Sequence, residues 1–211
     1  MTGEDAYRWL MDGAERSRLD AFDIHVVASI LAISMAEAAE DRCSLSSKCG
    51  LEGPALRDLA STFFPGRAAC LHALAEEDGA DAEIEQISVR DLLAAHASGQ
   101  SVLERPLATM IARRAMEPDH LWQDLGLRDR GELSALLHRH FAPLARQNTD
   151  NMKWKRFFYR MICDSEGFAL CTTPICSDCT DFDMCFGEET GEARLARNRR
   201  QDETDPPRAT A

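Results

Sequence analysis

Glu132-Leu-Ser-Ala-Leu-Leu-His-Arg-His-Phe-Ala-Pro-Leu-Ala145 has the clearest helical pattern in this sequence. At about 100° per residue, its large apolar side chains and one histidine fall on the same side of a helix. They are Leu133, Leu136, Leu137, His140, Phe141 and Leu144. A helix that is apolar on one side buries that side against its neighbours. The stretch therefore predicts a helical core, with His140 inside it.

The next segment, Asn148–Ile162, has a second one-sided pattern. The same rotation per residue gives an apolar arc of about 140°. The arc contains Trp154, Phe157, Phe158, Met161 and Ile162. The opposite side carries Lys153, Arg156 and Arg160, and Cys163 continues that line. We predict an amphipathic helix with one aromatic side and one basic side.

The rest of residues 4–162 also reads as consecutive helices, because few stretches alternate with a period of two. Glycine and proline fall mostly between the periodic segments. The predicted elements are a long helix from Phe22 that ends before the Cys43–Gly50 stretch, a helix from Pro54 to Phe63 stopped by Phe64-Pro65-Gly66, and a third helix that carries Cys70, Ala73 and Leu74. Helices over Glu83–Ala97 and Val102–Met116 and a short helix closed by Gly126 follow. The predicted fold class is mainly α: a compact multi-helix domain followed by a C-terminal cysteine-rich metal-binding loop.

The chain divides into four predicted parts. Residues 1–19 form an N-terminal extension, 20–162 the helical domain, and 163–187 a cysteine-rich loop packed on it. Residues 188–211 contain many arginines and acids but only one large aliphatic residue, Leu195. Too little apolar surface can be buried there to offset the ordering of the backbone, so we predict a charged mobile tail.

Composition excludes several classes of protein. The 211 residues carry a formal net charge of −12, which opposes binding to the phosphate backbone of nucleic acid. The N-terminus lacks the apolar core of a secretory signal. The most apolar run, Ile24–Ala39, is interrupted by polar residues and is too short to span a bilayer. We therefore expect a soluble, cytoplasmic protein with no membrane partner.

Four of the eight cysteines fall close together, at Cys171, Cys176, Cys179 and Cys185. Their spacing is C-x4-C-x2-C-x5-C, and Pro174 favours a loop that folds back on a central ion or cluster. Soft thiolates suit zinc or an iron–sulfur cluster and disfavour magnesium or calcium. The leading C-x4-C-x2-C matches a plant-type ferredoxin spacing, but the fourth cysteine follows too soon. Spacing alone leaves an iron–sulfur centre, zinc, and disulfides or free thiols open.

Charge changes sign between the predicted basic helix and the cysteine loop. Residues 146–162 carry five bases and one acid, whereas 163–187 carry five acids and no base. Lys153, Arg156 and Arg160 could neutralise an anionic cluster or hold an incoming oxyanion. The alternative is that they form the solvated side of an amphipathic helix.

The remaining thiols and histidines offer few further ligands. Cys163 is the candidate fifth thiol, with burial as a small apolar residue as its alternative. His120 is a candidate site residue at the start of a short helix. Cys43 and Cys49 form either a weak second site or chance thiols. Cys70 lies in line with apolar neighbours, so we expect it in the core.

Several of these motifs together resemble the NifQ family of nitrogen-fixation proteins. They are His120-Leu-Trp-Gln-Asp-Leu-Gly126, Glu132-Leu-Ser134, Met152-Lys-Trp-Lys-Arg-Phe-Phe-Tyr-Arg160, Phe64-Pro65-Gly66, and the cysteine loop followed by Phe186-Gly187. The resemblance covers residues 20 to 187. The cysteine loop joined to the aromatic and basic helix makes it more specific than any single motif.

The resemblance implies a cytoplasmic carrier rather than an enzyme. Such a protein takes molybdenum from molybdate, holds it in an iron–sulfur cluster of the Mo-Fe3-S4 type, and donates it for assembly of the nitrogenase iron–molybdenum cofactor. The implied metal ligands are the cysteines of the loop. The implied recipients are the cofactor-assembly scaffold and the nitrogenase iron protein. Two other functions stay open: a helical interaction module stiffened by a four-cysteine zinc knuckle, and an iron–sulfur electron-transfer protein.

Overall fold

A computed structural model describes residues 1–75 and 82–165, together with residues 189 and 194. Within these residues the secondary structure consists of eleven α-helices and no strand, which confirms the mainly α prediction there. They are α1 (Gly3–Asp12), α2 (Ala21–Asp41), α3 (Leu45–Cys49), α4 (Gly53–Phe63), α5 (Ala68–Ala73), α6 (Ile84–Ala95), α7 (Glu104–Ala115), α8 (Leu121–Asp124), α9 (Arg130–His140), α10 (Ala142–Ala145) and α11 (Trp154–Ser165).

The chain forms two compact units. Unit 1 comprises Met1–Ala80, Trp122–Asp129 and Glu192–Ala211, and unit 2 comprises Asp81–Leu121 and Arg130–Gly191. The predicted cysteine-rich loop at 163–187 lies outside the described residues from 166 onward, and its first three residues belong to α11 instead. The predicted tail at 188–211 lies outside them as well, except for its residues 189 and 194.

Helix α2 forms the core of unit 1. It begins where the Asp20 side chain accepts the backbone N–H groups of Phe22 and Asp23, and it ends at Arg42 in the left-handed conformation. Nearly every residue from Ile24 to Ala38 is buried, on all sides of the helix. The apolar run in α2 was predicted to be too short to span a bilayer, but the helix is longer than that run. Among the described helices, α2 alone has the length and hydropathy that a membrane span requires, and most of that stretch is buried inside the protein. Such burial is what a core helix of a globular unit shows.

Helix α1 covers part of α2, although residues 1–19 read as an extension in the sequence. Ala6 and Leu10 of α1 are fully buried, and the Tyr7 hydroxyl lies 2.8 Å from Nδ1 of His25. The amphipathic pattern of α1 therefore serves to close one side of the core helix.

Gly126 brings a later segment of the chain against α2. Its φ of +69° is left-handed, and the preceding turn is closed by the Leu127 N–H donating to the Trp122 carbonyl. A Cβ at Gly126 would lie 2.7 Å from the Ser29 carbonyl oxygen, which is closer than real Cβ atoms approach. Only glycine permits both this φ and this close approach without strain. The prediction that Gly126 ends the short helix is confirmed.

Unit 2 is built from packed helix pairs. α6 packs against α7 and α11, and α10 packs against α9. The turn before α7 is held by the buried Glu104, whose carboxylate accepts the backbone N–H groups of Gly99, Gln100 and Ser101. His140 is buried as predicted.

The predicted helix over 132–145 is divided in the structure. α9 ends at His140 and α10 begins at Ala142, because Pro143 has no N–H to donate to the Arg139 carbonyl and its ring would clash with that group. Ser98 satisfies the backbone at the break: its N–H donates to the His140 carbonyl and its Oγ accepts the Ala142 N–H.

Two other boundaries differ from the sequence prediction. The Cys43–Gly50 stretch, for which no helix was predicted, contains α3, because the Ser44 side chain caps its first turn by accepting the Ser47 N–H. The basic helix begins at Trp154 instead of Asn148. The Asn148 side chain bonds to both the N–H and the carbonyl of Met152, and this local pairing competes with helix formation.

Candidate functional site

The four cysteines of the predicted metal loop lie outside the described residues. Their metal-binding role therefore stays a prediction. Across residues 1–75, 82–165, 189 and 194, no group of three or more His, Cys, Asp or Glu side chains is placed to hold a metal ion. The structure does describe the neighbours of the loop in sequence: α11, which precedes it, and Glu189, which follows it.

The aromatic side of α11 packs into unit 2. Trp154, Phe157 and Phe158 are buried as predicted, whereas Met161 and Ile162 are only half-buried. The Trp154 ring lies 5.8 Å from the Phe157 ring, in an edge-on arrangement that aromatic pairs prefer. Trp154 Nε1 also donates to Ser134 Oγ at 3.3 Å. This packing fixes the start of the helix that leads into the cysteine segment.

The basic side of α11 is half-exposed. It consists of Arg156 and Arg160, together with Lys153 directly before the helix, and each of the three keeps part of its surface in solvent. The Arg160 guanidinium lies 3.9 Å from the Asp164 carboxylate, and both side chains are largely solvated, so this pair is weak. Lys155 does not belong to this basic side, and its ammonium donates a hydrogen bond to the Glu117 carbonyl. The proposed anion-binding role of the basic side stays a prediction.

Tyr159 lies half-buried on the same helix. Burial raises the pKa of its phenol, and the nearby carboxylates of Glu85 and Glu83 raise it further. The Arg156 guanidinium acts in the opposite direction and partly offsets this rise in the pKa. The tyrosine therefore remains a neutral hydrogen-bonding group beside the basic side chains.

His120 meets a carboxylate from beyond the cysteine loop. Its Nδ1 lies 3.5 Å from Oε1 of Glu189, and Nη1 of Arg130 lies 3.3 Å from Oε2 of the same carboxylate. The Glu189 side chain is only 4% exposed. We call His120, Arg130 and Glu189 the Glu189 clamp.

Arg130 is itself held in place. Its Nη2 donates to the Asn151 carbonyl at 2.9 Å, to Asn151 Oδ1 at 3.0 Å and to the Met152 carbonyl at 2.9 Å. These acceptors immediately precede α11. Arg130 and Glu189 were not predicted as site residues, because two residues this far apart in sequence leave no local pattern when they pair.

The other cysteines have varied surroundings. Cys163 on α11 is half-exposed and so is accessible to a ligand. Cys43 is exposed and Cys49 is buried. Cys70 is exposed, so its expected place in the core was wrong: α5 turns the adjacent Leu71 into the core instead.

A second ion-pair group lies in unit 1. Arg194 Nη2 is 2.5 Å from Glu37 Oε1, and its Nη1 is 3.4 Å from Asp124 Oδ1. Both carboxylates belong to buried residues, and Asp124 has no exposed surface. A guanidinium between two buried carboxylates compensates part of their desolvation.

Comparisons with known proteins agree on one family. The family model NifQ matches residues 26–187. A protein named "Protein NifQ homolog" from Sinorhizobium fredii is 41% identical over 82% of this chain and 75% of its own length. "Protein NifQ" from Rhodobacter capsulatus is 40% identical over 76% of this chain and 87% of its own length. "Protein NifQ" from Azotobacter vinelandii is 36% identical over 66% of this chain and 77% of its own length. No solved structure matches the chain. With the match spanning both the helical region and the whole cysteine motif, this chain belongs to the NifQ family.

Proposed function

We propose that this protein carries molybdenum for nitrogen fixation, the process that the NifQ family serves. It takes up molybdenum from molybdate, holds it in an iron–sulfur cluster of the Mo-Fe3-S4 type, and donates it for assembly of the nitrogenase iron–molybdenum cofactor. The observation that carries the proposal is the family match, which extends to residue 187 and so includes all four cysteines of the motif.

The donor set fits this cargo. Thiolates of Cys171, Cys176, Cys179 and Cys185 are soft ligands of the kind that hold iron–sulfur clusters. Molybdate is a hard oxyanion, so incorporation into the cofactor requires a change from oxygen to sulfur ligands. Three cysteines suffice for three irons and leave molybdenum to the fourth thiolate or to another donor.

Cys163 and His120 are the proposed additional donors. Cys163 is half-exposed near the end of α11, and the His120 side chain is 31% exposed within the Glu189 clamp. Both are accessible, as a transfer site requires, because cargo must leave as well as enter.

The basic side of α11 supports a role in anion capture. Arg156 and Arg160 lie half-exposed on α11, which leads into the acidic cysteine segment, and Lys153 lies half-exposed directly before this helix. Their charge favours an approaching molybdate ion and offsets the negative charge of a thiolate-bound cluster.

We further propose that the protein is a carrier and not a turnover catalyst, and that it works in the cytoplasm. Its recipients would be the nitrogenase cofactor-assembly scaffold and the nitrogenase iron protein, with neither nucleic acid nor membrane involved. The buried state of α2 supports the absence of a membrane role, since this apolar helix already fills the core of unit 1.

The test is metal and sulfide analysis, with electron paramagnetic resonance, of protein isolated without oxygen. We expect brown protein that contains iron, sulfide and substoichiometric molybdenum. Cys171→Ala and Cys179→Ala should each lose all three, whereas Cys70→Ala removes an exposed thiol outside the motif and should retain them. Colourless protein with one zinc per chain, and unchanged cofactor assembly in the cysteine variants, would refute the proposal.

A further inference from the structure

The Glu189 clamp places a buried carboxylate just beyond the cysteine motif. Glu189 follows Cys185 by four positions, and its side chain is almost entirely removed from solvent between an imidazole and a guanidinium. A carboxylate is buried at a large cost unless cations or donors compensate it. Arg130 supplies the compensating charge at 3.3 Å, and His120 lies 3.5 Å away on the other oxygen, so a neutral side chain at position 189 would lose the attraction to Arg130.

Arg130 connects Glu189 to the start of α11. One guanidinium nitrogen bonds to Asn151 and Met152, directly before the helix, while the other faces Glu189. The chain that carries the four cysteines leaves α11 after Ser165 and is held again at Glu189. Ser165 and Glu189, the described residues on either side of the cysteine segment, both belong to unit 2. Fixing the two ends reduces the conformations that must be lost when the thiolates gather around a metal.

The same carboxylate orients His120. Nδ1 is the ring nitrogen that faces Glu189. Carboxylates in this position commonly fix the ring orientation of a histidine that ligates metal through its other nitrogen.

We propose that Glu189 is a positioning residue that fixes the carboxyl end of the cysteine motif and the His120 ring before metal arrives. The role of Glu189 in metal retention rests on the proposed function. The attachment of this part of the chain through Glu189, which we call the tether, does not, because the contacts to His120 and Arg130 involve no metal.

The experiment compares Glu189→Gln with Glu188→Gln in the full-length protein. Both remove one negative charge, but only the first removes the clamp carboxylate. In metal-free protein, hydrogen–deuterium exchange of the amides around residue 189 should become about tenfold faster in Glu189→Gln and stay unchanged in Glu188→Gln. In metal-loaded protein, iron release to a chelator should also become about tenfold faster in Glu189→Gln, at the lower end of the effect of losing an outer-shell partner.

A double variant tests whether the effect passes through Arg130. Adding Glu189→Gln to Arg130→Gln should increase iron release little beyond Arg130→Gln alone, because both substitutions break the same contact. Fully additive increases in iron release would contradict the proposal that Glu189 acts through Arg130.

The outcomes separate the two proposals. Equal exchange rates in Glu189→Gln and the wild type overturn the tether, and equal iron release overturns its use in metal retention. If the wild type binds no iron, the proposed function fails while the exchange comparison still decides the tether. If Cys171→Ala loses its iron but Glu189→Gln behaves as Glu188→Gln throughout, the proposed function stands and this inference falls.

Discussion

Replacing Gly126 with alanine tests the contact that joins the later segment of unit 1 to α2. The new methyl group would lie 2.7 Å from the Ser29 carbonyl oxygen and 3.6 Å from Cβ of Ile33. The Ser29 carbonyl belongs to the backbone of a buried helix, so it cannot rotate away as the end of a flexible side chain would. Either α2 or the Trp122–Asp129 segment has to shift.

Two costs add at Gly126. An L-residue in the left-handed region costs about 1 kcal/mol relative to glycine. Forcing a methyl group into a packed interior costs about 1–3 kcal/mol. We therefore expect Gly126→Ala to lower the free energy of unfolding of unit 1 by about 3 kcal/mol.

Gly99→Ala is the matched control. Gly99 has nearly the same φ, +72°, but a Cβ there meets nothing within 4 Å. It should therefore cost only the conformational part, about 1 kcal/mol. Urea unfolding followed by circular dichroism and tryptophan fluorescence measures both variants. Trp9 and Trp122 report on unit 1, which contains Gly126, and Trp154 reports on unit 2, which contains Gly99. Equal losses in the two variants would refute a steric role for the Ser29 contact.

The charged and titratable groups give three more tests. Arg194→Gln should destabilise unit 1 by about 1–3 kcal/mol, because it removes the cation that faces two buried carboxylates; an unchanged urea midpoint would contradict this. The raised pKa of Tyr159 means that its contribution to stability is complete below about pH 10, the unfolded value, and is lost as pH rises through the folded pKa. Tyr159→Phe should remove that part of the alkaline slope, and an identical slope in both proteins would exclude this cause. Arg156→Glu combined with Arg160→Glu should reduce molybdenum loading more than iron loading, and equal retention of both metals would favour a merely solvated basic side.

Local patterns predicted the helices because helix formation depends on neighbours in sequence. The arc of Trp154, Phe157 and Phe158 is buried as its spacing predicts, and Gly126 closes a helix as expected. The break before Pro143 could also have been predicted, since proline inside a helix removes a hydrogen bond. Its apolar neighbours on both sides obscured this signal.

Contacts between distant residues were not predictable in the same way. Cys70 fits an apolar pattern, but α5 has only six residues, too few for its spacing to decide whether Cys70 or Leu71 faces the core. Glu189 is one of several acids in a charged stretch, and its contacts with Arg130 and His120 in the folded protein distinguish it. For the cysteine motif the sequence is more informative than the structure. The spacing of the cysteines and the family match indicate a metal site, although these residues lie outside those that the structure describes.

The burial of α2 has a consequence for synthesis on the ribosome. This helix emerges early, but the segment whose Gly126 covers Ser29 is translated much later. In the interval, the nascent chain displays a helix of the length and hydropathy that the membrane-insertion machinery accepts. We therefore expect this apolar helix to be prone to aggregation in the nascent chain until translation reaches the segment that covers it.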